Sequence, residues 1–274
     1  MHRRHSLFPS VFQAALLLLA SWLFQYLVAL GLYDIREMLG LNREQIVALA
    51  MLLSYGVLVS ALSHFMRLSF AQVLHSNGSS IPSTVMLLVL PTLLLVPLLM
   101  LLDISLIELL EQLFPVSDWE RNSFSRMRST SLPMVVAICV LAPLFEEVLF
   151  RGIILRAFLQ RYSRWQAIGY SALLFGFSHL NIYQFFLAFF LGLLLGWLYE
   201  RSHSLIPCIA LHSAINTSVT LLSNGDTSGN PSITSIFDVP SLVWLLALAL
   251  SAAGVWGLRF TLGSKSGSLP SENS

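Results

Sequence analysis

The chain has 274 residues, of which 56% are hydrophobic and 11% are charged, proportions far from those of soluble domains. Its formal net charge is +1, and its basic residues are scattered singly or in pairs, which excludes the electrostatic signature of a nucleic-acid-binding protein. Cys139 and Cys208 both lie in apolar runs and are interpreted as small hydrophobic residues, without a disulfide. The composition indicates an integral membrane protein.

Apolar runs predict an all-α, polytopic transmembrane bundle of about eight spans. A helix needs roughly 20 apolar residues to cross a hydrocarbon core of about 30 Å, and its backbone must satisfy its own hydrogen bonds there. The first run is longer than that of a signal peptide, which favours a retained helix. In chain order the predicted spans are 11–33, 46–66, 83–101, 133–157, 165–180, 183–200, 205–223 and 240–259.

Two stretches leave alternatives open. The fifth and sixth spans are short and meet at residues 180–182, so a tight hairpin or a re-entrant pair is an alternative to two full crossings. Residues 103–114 repeat apolar positions at helical spacing with acidic residues opposite, which fits an interfacial helix or an extension of the third span into water. Segments 118–131 and 223–232 are predicted loops.

Basic residues orient the bundle. Eight alternating spans that start from an inside N-terminus place nine basic residues on the cytoplasmic side and five on the other. The positive-inside rule therefore predicts both termini in the cytoplasm, with the protein in the cell membrane. We divide the chain into N-terminal spans with an interfacial segment (1–130), a catalytic helical core (131–223), a loop with the last span (224–260) and a disordered tail (261–274).

Three ionisable residues interrupt the apolar run LAPLFEEVLFRGIIL at 141–155: Glu146, Glu147 and Arg151. Charges at membrane depth cost about 2.5 to 3.5 kcal/mol each and mark functional sites by default. Glu147 and Arg151 are four residues apart, so they can pair on one helix face. Glu146 points about 100° away and has no basic partner on its own helix, and a carboxylate left free in this way is a candidate general base. The alternative is that all three form a structural bridge between helices.

Two further motifs carry imidazole groups. Phe175 and His179 are four residues apart near the end of the fifth span, and His212 and Asn216 are four apart in the seventh. His212 and Asn216 therefore share a helix face, where an imidazole and a carboxamide can bind an oxyanion, orient water or ligate a metal.

The three motifs, Glu146-Glu147-x3-Arg151, Phe175-x3-His179 and His212-x3-Asn216, resemble in order and spacing those of the CPBP family (CAAX prenyl endopeptidase, Abi and bacteriocin-processing proteins). The resemblance covers roughly residues 140–220. It implies a helical intramembrane endopeptidase with its active site in a membrane-embedded cavity, acting on a membrane-associated peptide or protein.

The resemblance also implies roles for the motif residues. Glu146 and His179 would activate the attacking water, while His212 and Asn216 would stabilise the oxyanion. Glu147 would assist, and Arg151 would balance the local charge. Glu146, His179 and His212 suffice in number for a catalytic zinc with one open position. We favour a reaction without a cofactor, since Asn is a poor zinc ligand and a good oxyanion donor, and keep zinc as the alternative.

Two other classes of function compete with the peptidase. A non-catalytic membrane immunity or accessory factor could bind a peptide in the same cavity, although a degenerate enzyme is expected to lose at least one reactive residue. A transporter could use buried acids and histidines as a proton relay, but the sequence shows no repeated halves and no paired broken helices.

Overall fold

A computed structural model describes residues 8–76, 78–118, 120, 131–224 and 236–263. The regular structure in these ranges is helical, and the one strand-like contact within them is an isolated bridge between His75 and Ser204. The architecture is therefore the predicted all-α bundle.

The first helices form an antiparallel pair. Helix α1 (Val11–Asp34) packs against α3 (Arg43–Phe65), and a single helical turn, α2 (Arg36–Leu39), connects them. Ser10 and Asn42 cap the two long helices, and each side chain accepts a hydrogen bond from a backbone N–H three residues later. Because these caps satisfy N–H groups that a helix leaves unpaired, they define where each apolar helix begins.

A bent pair of helices follows the short helix α4 (Phe70–Leu74). Helix α5 (Ile81–Leu93) and helix α6 (Val96–Leu113) meet at an angle of 42°. Pro97 stands in the first turn of α6, and its missing N–H and bulky ring prevent a straight helix from running through this point. Since α6 is continuous, residues 103–113 lie in the same helix as 96–101, the end of the third predicted span.

The second half of the molecule holds five longer elements. Helix α7 (Leu132–Phe158) contains two widened, π-helical stretches. It is followed by α8 (Arg164–Phe177), α9 (Ile182–Ser202), α10 (Ile206–Asn224) and α11 (Ser241–Gly263). Helix α11 packs on the bent pair, whereas α8, α9 and α10 all pack against α7. The four helices α7 to α10 thus form one unit around α7.

Close packing of α8 on α9 depends on small residues. A Cβ added at Gly192 of α9 would lie 3.1 Å from the Cα of Ala172 on α8. Ala172 is fully buried, so the neighbouring backbone cannot yield. Because glycine has no Cβ, α8 and α9 can pack closely at position 192. The Gly192 carbonyl then lies within the bundle interior.

Each predicted span corresponds to a helix or to the bent pair, but fewer of them have the length to cross a bilayer. Among the described residues five helices are long and apolar enough, or six when the bent pair counts as one span. Helix α8 has 14 residues, about 21 Å at the helical rise, and the apolar part of α10 is Ile206–Leu222. Each buries one face against the neighbouring helices and exposes apolar side chains on the other, such as Phe177 of α8 and Leu221 of α10.

The predicted domain boundaries remain predictions. Most of the loop at 118–131, most of the loop at 223–232 and most of the tail at 261–274 lie outside the described residues. The first three residues of the predicted tail, 261–263, belong to α11.

Candidate active site

A buried ion pair lies on α7. Arg151 Nη1 donates to Glu147 Oε1 at 2.8 Å, and both side chains are fully buried. This is the pair that the four-residue spacing predicted. Arg151 Nη2 also reaches the Gly192 carbonyl at 3.4 Å, and the guanidinium carbon lies 4.5 Å from the centre of the Phe175 ring. The arginine charge is therefore met by a carboxylate, a carbonyl and an aromatic face.

His212 of α10 lies between the two glutamates. Its Nδ1 is 2.9 Å from Glu147 Oε1, and its Nε2 is 3.8 Å from Glu146 Oε2. The first distance is a hydrogen bond, and the second exceeds one. The sequence predicted Glu147 as the partner of Arg151 alone, so its contact with His212 is a finding of the structure.

The contact with Glu147 also sets the proton position on His212. Glu147 Oε1 already accepts from Arg151, as an ionised carboxylate does, and a carboxylate offers His212 no proton. Nδ1 must therefore carry the hydrogen, which leaves Nε2 facing Glu146. A carboxylate that orients an imidazole in this way fixes both its tautomer and its direction.

The two glutamates differ in exposure as their positions on the helix predict. Both belong to the regular α-helical turn Ala142–Glu147, between the π-helical stretches Ala137–Leu141 and Val148–Leu155. The side chain of Glu147 is fully buried, whereas that of Glu146 retains 17% of its accessible surface. Glu146 is thus the carboxylate that a substrate or water can reach.

His179 lies at the end of α8, beside the same cluster. Its Nδ1 is 3.0 Å from the Phe175 carbonyl and 3.3 Å from Ser178 Oγ. Because a carbonyl oxygen only accepts, Nδ1 carries the proton and Nε2 is left with a lone pair. Within the described residues no hydrogen bond or ion pair joins His179 to either glutamate or to His212.

Phe175 connects the two histidines. Its ring makes edge-to-face contacts with His179 at 5.2 Å and with His212 at 5.6 Å, measured between ring centres. The same ring lies under the Arg151 guanidinium and is almost fully buried. The second motif thus contributes an aromatic spacer as well as an imidazole.

Asn216 follows His212 by one helical turn, as predicted, but its amide is partly occupied. Asn216 Nδ2 donates to the Ile138 carbonyl at 2.9 Å. Ile138 lies in the first π-helical stretch of α7, so the carboxamide fastens α10 to the widened turn. A side-chain amide has two N–H donors, and one of them remains for another acceptor.

Tyr55 of α3 is a neighbour of the site that the motifs did not identify. Its ring stacks on that of Phe145 at 5.7 Å with an angle of 15° between the planes, next to Glu146 in sequence. It is half-buried, and the Glu146 carboxylate acts on it electrostatically. A tyrosine at mid-span is a weak signal in the sequence, because nothing in its spacing links it to residues 90 positions away.

The side chains proposed as zinc ligands do not come together. In the part of the chain that the structure describes, no three His, Cys, Asp or Glu side chains are grouped as a metal site requires. Glu146 and His212 are 3.8 Å apart, but Phe175 lies between His212 and His179, so the three side chains do not form one group. We therefore derive no step through a metal.

Comparison with known proteins addresses this same region. The family described as "Type II CAAX prenyl endopeptidase Rce1-like" matches residues 128–218, about a third of the chain, which include all three motifs. No curated protein and no solved structure matches the chain. The family match agrees with the resemblance drawn from the motifs, and it supports the fold of a CAAX-type intramembrane protease for the segment that carries the buried Glu, Arg and His cluster.

Proposed function

We propose that the protein is an intramembrane endopeptidase that hydrolyses a peptide bond of a membrane-associated protein or peptide. The observation that supports this most is His212, held by the buried Glu147 and facing the more accessible Glu146. A carboxylate beside an oriented imidazole provides the positioned proton-transfer groups that general acid–base catalysis needs.

The attacking water is placed beside Glu146. Glu146 Oε2 and His212 Nε2 are 3.8 Å apart, a separation at which one water can contact both groups. Glu146 takes a proton from this water as its oxygen attacks the peptide carbonyl. The same proton then passes from Glu146 to the nitrogen of the leaving amine, so that the C–N bond breaks and the carboxylate is regenerated.

His179 supports the same step from the other side of Phe175. Because its Nδ1–H is held by the Phe175 carbonyl, its Nε2 lone pair can accept a hydrogen bond from the attacking water. His179 is half-buried, and we propose that the substrate brings the water to it.

The oxyanion is assigned to α10. Asn216 donates from the amide N–H that does not bind Ile138, and His212 donates from Nε2 when that nitrogen carries a proton in addition to the one on Nδ1. Such donors stabilise the developing negative charge because they are fixed before the reaction begins. Glu147 and Arg151 are positioning residues in this scheme, since they hold His212 from behind.

No cofactor is included in this scheme, and a catalytic zinc stays the alternative. The proposed location is the cell membrane, with both termini in the cytoplasm. Cysteine labelling at 118–131 and 223–232 tests this orientation, because both loops should be labelled from outside.

The test of the function is cleavage by the purified full-length protein in detergent or nanodiscs. Mass spectrometry of membrane-protein termini, comparing cells with the wild-type protein and cells with Glu146→Gln, identifies substrates. New termini that need Glu146 support the peptidase. Peptide binding without cleavage favours the accessory factor, and proton-coupled uptake without cleavage favours a transporter.

A further inference from the structure

A third acidic residue lies at membrane depth, outside the three motifs. Asp103 is on α6, eleven residues before Phe114, or about 16 Å along a helix. The Tyr183 hydroxyl at the start of α9 donates to the Phe114 carbonyl, so Phe114 lies level with the end of a span. Asp103 is therefore about half a hydrocarbon thickness inside the bundle.

The position of Asp103 on α6 directs it away from α11. Ser105 lines a cavity with Ser241 and Trp244, and Glu108 accepts from the Ile236 N–H, so these side chains lie on the α11 side. Two residues along a helix correspond to about 200°, which places Asp103 on the opposite side from Ser105.

The opposite side of α6 is the core-facing stripe. Val96 and Leu99 pack against the main hydrophobic core, and Met100 and Leu110 are buried. Asp103 follows Leu99 by four residues and precedes Leu110 by seven, which is the spacing of one helix face. Helix α6 also contacts α9 and α10, and α10 is the helix of His212. An acid thus occupies an apolar position on a helix that packs against the helix of His212.

Within the described residues the Asp103 carboxyl forms no hydrogen bond and no ion pair, and burial alone acts on it. Protein atoms surround the Asp103 side chain closely, yet part of its surface stays accessible, so that it is half-buried. Crowded surroundings with remaining accessibility are typical of a side chain that lines a cleft. A carboxyl placed at this depth without a partner marks a functional site by default.

Charge complementarity indicates what this carboxyl binds. Between Val96 and Leu113 the helix carries Asp103, Glu108 and Glu111, and no Lys or Arg. The buried cation of the neighbouring site, Arg151, is already paired with Glu147. A basic group brought by a ligand would therefore meet negative charge at this place.

We propose that Asp103 is a specificity-determining residue, whose carboxylate binds a lysine or arginine side chain of the peptide held at Glu146 and His212. This inference rests on the proposed peptidase function. The carboxylate makes a charge-assisted hydrogen bond to the cation, and a substrate without that cation leaves the carboxylate buried and unpaired.

The experiment uses the full-length protein in nanodiscs and pairs of peptides that differ only by lysine or norleucine, placed in turn at each position around the cleaved bond. At one position lysine should raise kcat/KM by roughly tenfold or more over norleucine. Asp103→Asn should bring this ratio close to one, and Asp103→Lys should reverse the preference towards glutamate. The exposed Glu111→Gln on the same helix is the matched control and should retain the wild-type ratio.

A binding measurement separates this inference from the peptidase. In the Glu146→Gln background, fluorescent lysine peptides should bind more tightly than norleucine peptides, and adding Asp103→Asn should remove the difference, even if no cleavage is ever seen. Asp103→Leu should unfold no earlier than the wild type on heating in detergent, because an apolar side chain fits the stripe. Equal binding of both peptides, or an unchanged ratio in Asp103→Asn, overturns the proposal.

Discussion

Helices α1 and α7 have similar lengths and similar apolar character, yet they have different surroundings. In the most apolar 18-residue stretch of each, 11% of residues are buried in α1 and 39% in α7. Leucines of α1 such as Leu19 and Leu23 are more than half exposed, whereas Ile153 and Leu155 of α7 are fully buried. Apolar length alone therefore does not distinguish a helix that contacts lipid from one that organises a site.

The distinction comes from polar side chains. Helix α1 carries a buried serine whose hydroxyl bonds to the backbone of its own helix, as Ser21 does to Leu18. Helix α7 instead presents Glu147 and Arg151 to other helices, where they meet His212 and the Gly192 carbonyl. A polar side chain that forms its hydrogen bond within its own helix does not constrain how the helices pack. One that bonds to another helix fixes the arrangement of the bundle.

The largest expected effect is on turnover, from Glu146→Gln. The substitution keeps the size of the side chain and removes the proton-accepting charge, so the protein should fold normally. Its cleavage rate should fall by at least the roughly 10² to 10⁴ that general-base catalysis contributes. Turnover and thermal unfolding of the same preparation check this, and a folded variant with wild-type turnover would exclude Glu146 as the base.

The next effect is on stability, from Glu147→Gln. It leaves Arg151 buried without its carboxylate, and breaking one side of a buried pair typically costs about 3 to 5 kcal/mol. Adding Arg151→Gln removes the second charge and should recover part of the loss. A double-mutant cycle on unfolding in detergent measures the coupling. If Glu147→Gln is stable and inactive while Glu146→Gln unfolds, the roles of the two carboxylates are reversed.

The sequence alone was sufficient to predict the features that depend on residues close together in the chain. The helical segments follow from apolar run length, and the Glu147–Arg151 pair follows from the four-residue spacing within one helix. The family match to residues 128–218 includes the motifs that spacing alone had grouped. These are features for which the interacting residues are neighbours in the chain.

What the sequence could not provide depends on tertiary contact. The bond from His212 to Glu147 joins residues 65 positions apart, and that from Asn216 to Ile138 joins residues 78 apart. The shortness of the fifth span was visible in the sequence, but its packing against α7 and α9 was not. The residue spacing within one helix does not predict which of the other helices will pack against that helix.

A matched pair of truncations sharpens the comparison of α1 with α7. Ile153→Ala removes a fully buried side chain of α7 and should cost about 2 to 5 kcal/mol. Leu23→Ala removes a side chain that is 59% exposed and should change stability by less than about 0.5 kcal/mol. Unfolding of both variants in the same detergent is the measurement. Equal losses would mean that α1 packs against a protein surface in the membrane.

The smallest expected effect is that of metal removal. Strong chelators should leave peptidase activity largely intact, because Glu146, His179 and His212 are not grouped as a metal site requires in the described part of the chain, and Asn216 is better suited to an oxyanion than to a zinc ion. Activity before and after chelation, with zinc or magnesium added back, is the measurement. Loss on chelation with recovery specific to zinc would contradict the prediction, and Glu146→Gln should then lose bound metal together with turnover. Activity that survives chelation in the wild type and is absent in Glu146→Gln would instead mean that the polar cluster of α7 and α10 performs the hydrolysis with its own side chains.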